Sequence, residues 1–452
     1  MRLTILGGGG FRVPLVYRAL AGDPARLVGE VVLHDEDPLR LAAIARVLHQ
    51  LGPGPRVRLA ADLDDAVRDA DVVFSAVRVG GTAGRVHDER VALGLGVLGQ
   101  ETTGPGGIAY ALRTLPVAGR IAERVAALAP SAWVLNFTNP VGMVTAAMQA
   151  VLGDRVVGIC DSPTGLVRRV AGALHADPAA LVPGYAGLNH LGWLRSAIVD
   201  GADLLPGLLA DDAALDGFEE GRLFGADLLR LLGAVPNEYL YYYYFTRESL
   251  AAMTSAGRTR GEVIADQQRE LYPQLAVAAN PLALWQDARL SRERGYLAEA
   301  RDAQAERDAA DLAGGGYEQV ALAAMRALVT DEPAELILGV RNGAGLQPAL
   351  PQLALPQLAL PQLPADAIVE VPTRVDAAGV QPRPQAPFDE HQLGLVSAVH
   401  AVEVATLEAA RHPPGSGGWR AGALRAFTVH PLVDSAALAR ELLEGYLGPA
   451  AT

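Results

Sequence analysis

Cys160 is the only cysteine in the chain. It stands where the apolar run Val156-Val157-Gly158-Ile159 stops and the polar turn Asp161-Ser162-Pro163 begins. Such a run reads as a buried strand, and in open α/β sheets ligands gather beyond the carboxyl ends of strands. A second stretch, Gly187-Leu188-Asn189-His190-Leu191-Gly192-Trp193, sets a histidine between apolar neighbours. A thiolate and an imidazole are both good donors to a divalent transition metal. A lone cysteine after a strand is equally at home as a small buried hydrophobe. What surrounds the pair decides between these readings.

Four other stretches carry chemistry. Leu3-Thr4-Ile5-Leu6 runs into Gly7-Gly8-Gly9-Gly10-Phe11 and then into a helical pattern. A strand, a glycine cluster and a helix form a site where backbone N–H groups hold a pyrophosphate. Gly7, Gly9 and Gly10 fall short of a clean GxGxxG, because Arg12 and Val13 follow. Asp35 ends the second apolar run, where a carboxylate accepts both ribose hydroxyls and disfavours a 2′-phosphate, so NAD is expected over NADP. Residues 78–113 read as a polar, glycine-dense loop that suits close approach to a ligand or simply solvent. Asn136-Phe137-Thr138-Asn139-Pro140 places amides at a strand end, either for sugar hydroxyls or to cap the next helix. Tyr239-Leu240-Tyr241-Tyr242-Tyr243-Tyr244 concentrates five phenols in a chain that is only 5% aromatic. Most of these must be structural, but a phenol beside a metal or an arginine has a lowered pKa and serves as a base.

The elements that position these residues alternate. Strands are expected at Leu3–Leu6, Val31–Asp35, Arg56–Ala60, Asp71–Ala76, Ala132–Phe137 and from Val156, with helices at Val13–Ala21, Pro38–Leu51, Asp64–Arg68 and Arg113–Leu128. This βαβ order predicts an α/β fold, a doubly wound Rossmann-type parallel sheet. A dinucleotide-binding domain would close near residue 165, and residues 166–452 would form a mixed α+β domain for substrate binding and oligomerisation. There, helices are expected at Leu166–Leu174, Leu223–Leu232, Leu282–Ala313, Tyr317–Leu328 and Gln392–Ala410, and strands at Ser196–Val199, Glu335–Val340 and Ala367–Val371. Between the last two strands, residues 349–363 read ALPQL three times over. Proline at that period suits neither a helix interior nor a central strand, so the segment reads as an expanded surface loop.

Composition excludes several classes. All 38 basic residues are arginine. A lysine Schiff base, a lysine general base and a P-loop lysine are therefore absent, and a substrate phosphate must be met by arginine, backbone N–H groups or a metal. A net charge of −13 without a basic stripe disfavours nucleic acid and anionic membranes as partners. One cysteine rules out an internal disulfide framework. The chain enters a strand at once and shows no apolar run long enough to span a bilayer, so a cytoplasmic location is expected.

Taken together, Gln100-Glu101-Thr102-Thr103-Gly104-Pro105-Gly106-Gly107, Asn136-Phe137-Thr138-Asn139-Pro140, Ile159-Cys160-Asp161, Gly187-Leu188-Asn189-His190 and the Tyr-Leu-x-Tyr-Tyr run resemble glycoside hydrolase family 4, in the family's order. The resemblance covers roughly residues 1–435. It implies NAD and a divalent metal, usually manganese, held by Cys160 and His190. It implies substrate contacts from Asn139, from Arg85 to a sugar 6-phosphate, and from Arg260. It makes Tyr239 the catalytic base, with Tyr241 or Tyr242 as alternatives. The implied reaction is a redox-assisted elimination: oxidation at C3, deprotonation at C2, loss of the aglycone from C1, addition of water and return of the hydride. Asp161 matches a general acid of members acting on α-linked phosphoglucosides. Gly80-Gly81 and the Asn-Phe-Thr-Asn-Pro form look more like the 6-phospho-β-glucosidase branch. The resemblance also implies a homodimer or homotetramer. The other readings of the same residues are an unphosphorylated-glycoside member, a simple NAD-dependent hydroxy-acid dehydrogenase and a non-catalytic NAD sensor.

Overall fold

The computed structural model describes residues 1–297, 316–330, 332–345 and 358–448. Its strands are β1 (Arg2–Leu6), β2 (Glu30–His34), β3 (Arg56–Leu59), β4 (Val72–Ser75), β5 (Trp133–Asn136), β6 (Val156–Gly158), β7 (Val182–Leu188), β8 (Leu191–Val199), β9 (Ala202–Asp203), β10 (Val235–Pro236), β11 (Ala334–Arg341), β12 (Ile368–Asp376) and β13 (Gly379–Pro382). They join in one sheet, ordered β10-β8-β7-β12-β11-β6-β5-β4-β1-β2-β3, with β13 on β12 and β9 on β8. The half from β6 to β3 is wholly parallel. Read from its outer edge that half runs 3-2-1-4-5-6, the order of a doubly wound dinucleotide-binding sheet. Beyond β6 every pairing is antiparallel.

The strand sequences show why both faces are covered. Leu3, Ile5, Val31, Leu33, Val72 and Phe74 enter one apolar cluster, whereas Leu6, Val32 and Val73 enter another. Side chains alternate along a strand, so a run that is apolar at every position buries both faces under helices. The parallel strands and the helices Val13–Ala21, Pro38–Gln50 and Leu63–Val67 follow the sequence reading to within a residue or two.

Residues 78–113 depart from it. They are not one loop: a helix spans Gly81–Gly94, and the next begins at Pro105 and runs to Leu128. The first helix buries Gly84, Asp88, Glu89 and Ala92. Its inner face is therefore charged and small, and an apolar 3.6-residue period is missing. Arg113 completes that polar core, donating to both oxygens of Asp88 at 2.8 and 2.6 Å. The helix expected over Leu223–Leu232 is two, Glu219–Phe224 and Ala226–Leu232, broken at Gly225 with φ 76°. β7, the first half of β8 and the helices Val141–Leu152 and Gly417–Val429 carried no clear sequence signal. The helix expected over Leu282–Ala313 is described only as Pro281–Arg294.

The ALPQL repeat is also corrected in part. Residues 349–357 lie outside the described residues, but Ala359, Leu360 and Leu363 are buried in the core. Asn342 is fully buried and holds them: its Nδ2 donates to the carbonyls of Leu360, Leu363 and Pro364, and its Oδ1 accepts from Leu360 N at 2.8 Å. The final repeat is thus a stapled core segment rather than a surface loop. Asn342→Ala leaves these groups unpaired and is expected to cost about 3 kcal/mol. A urea midpoint equal to that of the parent chain would refute this.

Among the described residues one helix, Glu390–Ala410, is long and apolar enough to cross a membrane by length and composition, contrary to the sequence reading. It packs against the helices Gly417–Val429 and Pro105–Leu128. Its inward residues include Gln392 and Thr406 beside Val396, Val402 and Ala405.

Candidate functional site

One cavity of about 1310 Å³ opens along the carboxyl edge of the parallel strands. It is large enough for a dinucleotide beside a small sugar. Gly7, Gly10, Phe11, Asp35, Arg85, Asn139, Cys160, Asp161, His190, Tyr239 and Arg260 all line it. Gly9 does not line it, but its N–H donates to Asp35 Oδ2 at 2.9 Å.

The glycine cluster leaves no room for side chains. A Cβ on Gly7, whose φ is 81°, would sit 2.4 Å from the carbonyl oxygen of Ala76, and one on Gly9 would sit 3.0 Å from Asp35 Oδ2. This cradle, followed by the helix Val13–Ala21, fits a pyrophosphate laid against backbone. Phe11 is anchored beneath: its carbonyl accepts from Trp285 Nε1 at 2.8 Å. Asp35 stands at the end of β2, where ribose hydroxyls would reach it, and also braces the loop through Gly9.

His190 sits in the two-residue turn between β7 and β8, where Leu188 pairs with Leu191. Its φ is +62°, a left-handed conformation that costs a non-glycine residue roughly 1 kcal/mol. Its Nδ1 meets Thr102 Oγ1 at 2.9 Å. Burial lowers its pKa to about 3, so the ring is neutral at neutral pH. With Nδ1 engaged by a hydroxyl, the other ring nitrogen is the candidate donor to a metal. Cys160 is buried beyond the end of β6. Burial, then the charges of Glu370 and Asp161, push its thiol well up, which suits a sulfur waiting for a cation rather than a free thiolate. Among the described residues no group of three or more His, Cys, Asp and Glu forms a full metal cage. What the residues offer is one sulfur and one imidazole nitrogen lining the same cavity, donor types that suit a divalent cation.

Tyr239 lies flat on His190, with ring centroids 3.6 Å apart and planes 7° apart. Its hydroxyl meets that of Tyr296 at 3.1 Å, and Tyr296 donates in turn to Glu238 Oε1 at 3.3 Å. Burial, then the charge of Glu238, raise the Tyr239 pKa. That is opposite to the lowered phenol expected beside a metal or an arginine, because burial dominates and the nearest charge is the Glu238 carboxylate. Of the other tyrosines in the run, Tyr242 also lines the cavity. Tyr241 stacks on Phe245, and Tyr244 accepts from Trp193 Nε1 at 3.1 Å.

The amides divide their labour. Asn136 donates to Thr145 Oγ1 at 3.1 Å and accepts from Thr138 N at 3.0 Å, so it shapes the turn. Asn139 lines the cavity, and its Oδ1 is buried without a partner among the described residues. Asp161 Oδ2 faces Arg12 Nη1 at 3.4 Å. Arg85 Nε donates to Glu89 at 2.7 Å, and its Nη1 pairs with Glu101. Arg260 Nη2 donates to the carbonyl of Arg292 at 2.6 Å.

Sequence reasoning missed Glu238, Tyr296 and Glu370. Glu370 is buried in β12, accepts from Tyr185 at 3.1 Å and from Asn189 at 3.2 Å, and burial raises its pKa to about 7. It lies in the strand row Gly158–Gly339–Glu370–Gly187, between the strand of Cys160 and that of His190. A carboxylate inside an apolar strand leaves no sequence signal. Glu238, next to the tyrosine run, does leave one.

The chain matches the Family 4 glycosyl hydrolase model over residues 2–176 and the Family 4 glycosyl hydrolase C-terminal domain over residues 185–433. It is 30% identical to a probable 6-phospho-beta-glucosidase of Bacillus subtilis, covering 98% of this chain and 95% of that one. It is 27% identical to a 6-phospho-alpha-glucosidase of Leptotrichia buccalis, covering 98% and 96%. The structure of the 6-phospho-beta glucosidase from Thermotoga maritima with NAD and glucose-6-phosphate matches with TM-score 0.80 at 26% identity, over 99% and 98% of the two chains. Another crystal of that protein, with manganese, NAD+ and glucose-6-phosphate, matches with TM-score 0.77 at 24% identity over the same shares. Fold, cavity and both family models agree: the chain belongs to the family 4 glycosyl hydrolases and is a glycosidase.

Proposed function

We propose that the protein hydrolyses 6-phospho-β-glucosides in a reaction that depends on NAD and a divalent metal. The convergence of the glycine cradle, Cys160, His190, Tyr239, Arg85 and Arg260 on one cavity carries this reading. The ligands of the Thermotoga maritima protein support it. Gly7, Gly9, Gly10, Phe11 and Asp35 would hold NAD, and Cys160 with His190 would hold manganese. When bound, NAD supplies a reversible hydride acceptor for C3 of the sugar, and the cation supplies an electrophile for the neighbouring oxygens.

The chain's own groups then move protons. Tyr239 takes the proton from C2 as phenolate, a form that a cation bound beside His190 would favour against the burial and carboxylate charge that raise its pKa. The electron pair left behind forms the C1–C2 double bond, and the aglycone leaves C1 with its bonding pair. Asp161 stands within the same cavity as the candidate donor to that leaving oxygen. Water adds at C1 and gives its proton to the Asp161 carboxylate, while the proton held by Tyr239 returns to C2. Hydride returned to C3 leaves no net redox change. Asn139 would bind a sugar hydroxyl, Arg85 the 6-phosphate, and Arg260 another part of the substrate.

The β preference rests on Gly80-Gly81, the Asn-Phe-Thr-Asn-Pro turn and the names of the Bacillus and Thermotoga relatives. Asp161 and the Leptotrichia relative favour the 6-phospho-α reading instead. The test is a nitrophenyl glucoside panel, α and β, with and without 6-phosphate, assayed with NAD+, Mn2+ and reductant. Turnover of the β-6-phospho compound alone is expected. Turnover of the α-6-phospho compound alone would reverse the anomeric assignment, and equal rates without phosphate would remove the phosphate requirement. The same reading divides the chain near residue 165 into a dinucleotide-binding unit and a substrate and oligomerisation unit. It places the enzyme in the cytoplasm as a homodimer or homotetramer.

A further inference from the structure

The charges around the cavity do not all cancel in pairs. Arg12 faces Asp161 at 3.4 Å and Glu293 at 3.9 Å. Arg78 and Arg85 share Glu101, and Arg85 has Glu89 as well. Arg12 and Arg85 thus each face two carboxylates, which weakens their pull on a further dianion without removing it. Arg292 differs. It reaches the same cavity from the helix Pro281–Arg294, and among the described residues its guanidinium has no carboxylate partner.

Other guanidiniums crowd it. Burial, then the like charges of Arg12, Arg85, Arg260 and Arg78, push Arg292 well below the usual arginine range. Its guanidinium lies over the ring of Phe11, 5.0 Å from the centroid, at the end of the glycine cradle. Its carbonyl accepts from Arg260. The helix thus ties Arg292 to the cofactor loop on one side and to a candidate substrate arginine on the other. A half-buried guanidinium crowded by others is relieved by an anion, and its fork matches two phosphate oxygens.

We infer that Arg292 is a phosphate ligand of this cavity and that its charge is balanced by an incoming phosphate rather than by the protein. This rests on the reading of the cavity as a site for phosphorylated ligands. The phosphate comes either from the sugar or from the cofactor's pyrophosphate, and both present the same oxygens.

Titration of the full-length protein with glucose-6-phosphate, glucose and NAD+ separates the two sources. Arg292→Met keeps the backbone bond to Arg260 and the contact with Phe11. It is expected to weaken one phosphate ligand by roughly 10- to 100-fold, with Arg292→Lys recovering part of the loss. A loss confined to glucose-6-phosphate assigns the sugar phosphate, and one confined to NAD+ assigns the pyrophosphate. Unchanged affinity for both, in a variant with the parent's unfolding midpoint, overturns the inference. If the parent binds glucose no less tightly than glucose-6-phosphate, the phosphoglycosidase reading fails, while the NAD+ arm still decides the role of Arg292.

Discussion

Cys160→Ser is expected to lower turnover of a 6-phosphoglucoside by about a thousandfold or more, while NAD+ affinity stays within about twofold. Serine is nearly isosteric with cysteine, so the buried pocket beyond β6 should accept it without unfolding. A hydroxyl, however, is a far poorer donor to manganese than a thiolate, because it rarely ionises in a protein. The cofactor cradle at Gly7–Gly10 is built from a different strand end and does not depend on the sulfur. Two measurements check this: kcat across a Mn2+ titration, and NAD+ binding without substrate. Parent-like turnover at modest Mn2+ would remove Cys160 from the metal. Loss of NAD+ binding in step with activity would mean that the substitution has collapsed the cavity.

Tyr239→Phe is expected to reduce kcat by about 10²- to 10⁴-fold with a small change in KM, the range for loss of a positioned base. The ring does structural work that phenylalanine retains, since it stacks on the His190 imidazole at 3.6 Å. Only the hydroxyl and its bond to Tyr296 disappear. The loss should therefore fall on proton transfer rather than on folding or metal retention. With a C2-deuterated substrate the parent enzyme should show a slower rate or exchange with solvent, and the variant should show no exchange. Exchange at the parent rate in the variant would transfer the role to another group, with Tyr296, whose hydroxyl lies 3.1 Å from that of Tyr239, the neighbouring phenol in the cavity.

The fold was legible wherever burial writes a local pattern. β1, β2 and β4 are apolar at consecutive positions because both faces are covered, and their boundaries could be read from composition alone. The Gly81–Gly94 helix was not legible, because Asp88 and Glu89 point inward and are satisfied by Arg113, Arg85 and Gly261 N. Ion pairs inside a protein erase the amphipathic signal that marks a helix. β7 failed for a related reason. Its glycines are there because chains approach closely: a Cβ on Gly187 would meet the carbonyl oxygen of Leu191 at 2.2 Å. In the sequence those glycines read only as breaks.

Residue types and their order were enough to name the family, the glycine cradle with Asp35, and the candidates Cys160, Asp161, His190 and Tyr239. Chemistry of that kind is carried by side-chain identity, which sequence states outright. How the candidates meet was decided by the tertiary structure. β11 and β12 come from far along the chain and insert between β6 and β7, so they set the separation of Cys160 from His190 and bring Glu370 between the two strands. The partners of each charge were decided there as well: Glu89 and Glu101 fall to Arg85, Asp161 to Arg12, and no carboxylate among the described residues to Arg292. Sheet order and charge pairing depend on contacts between segments hundreds of residues apart, and no local window of sequence contains them.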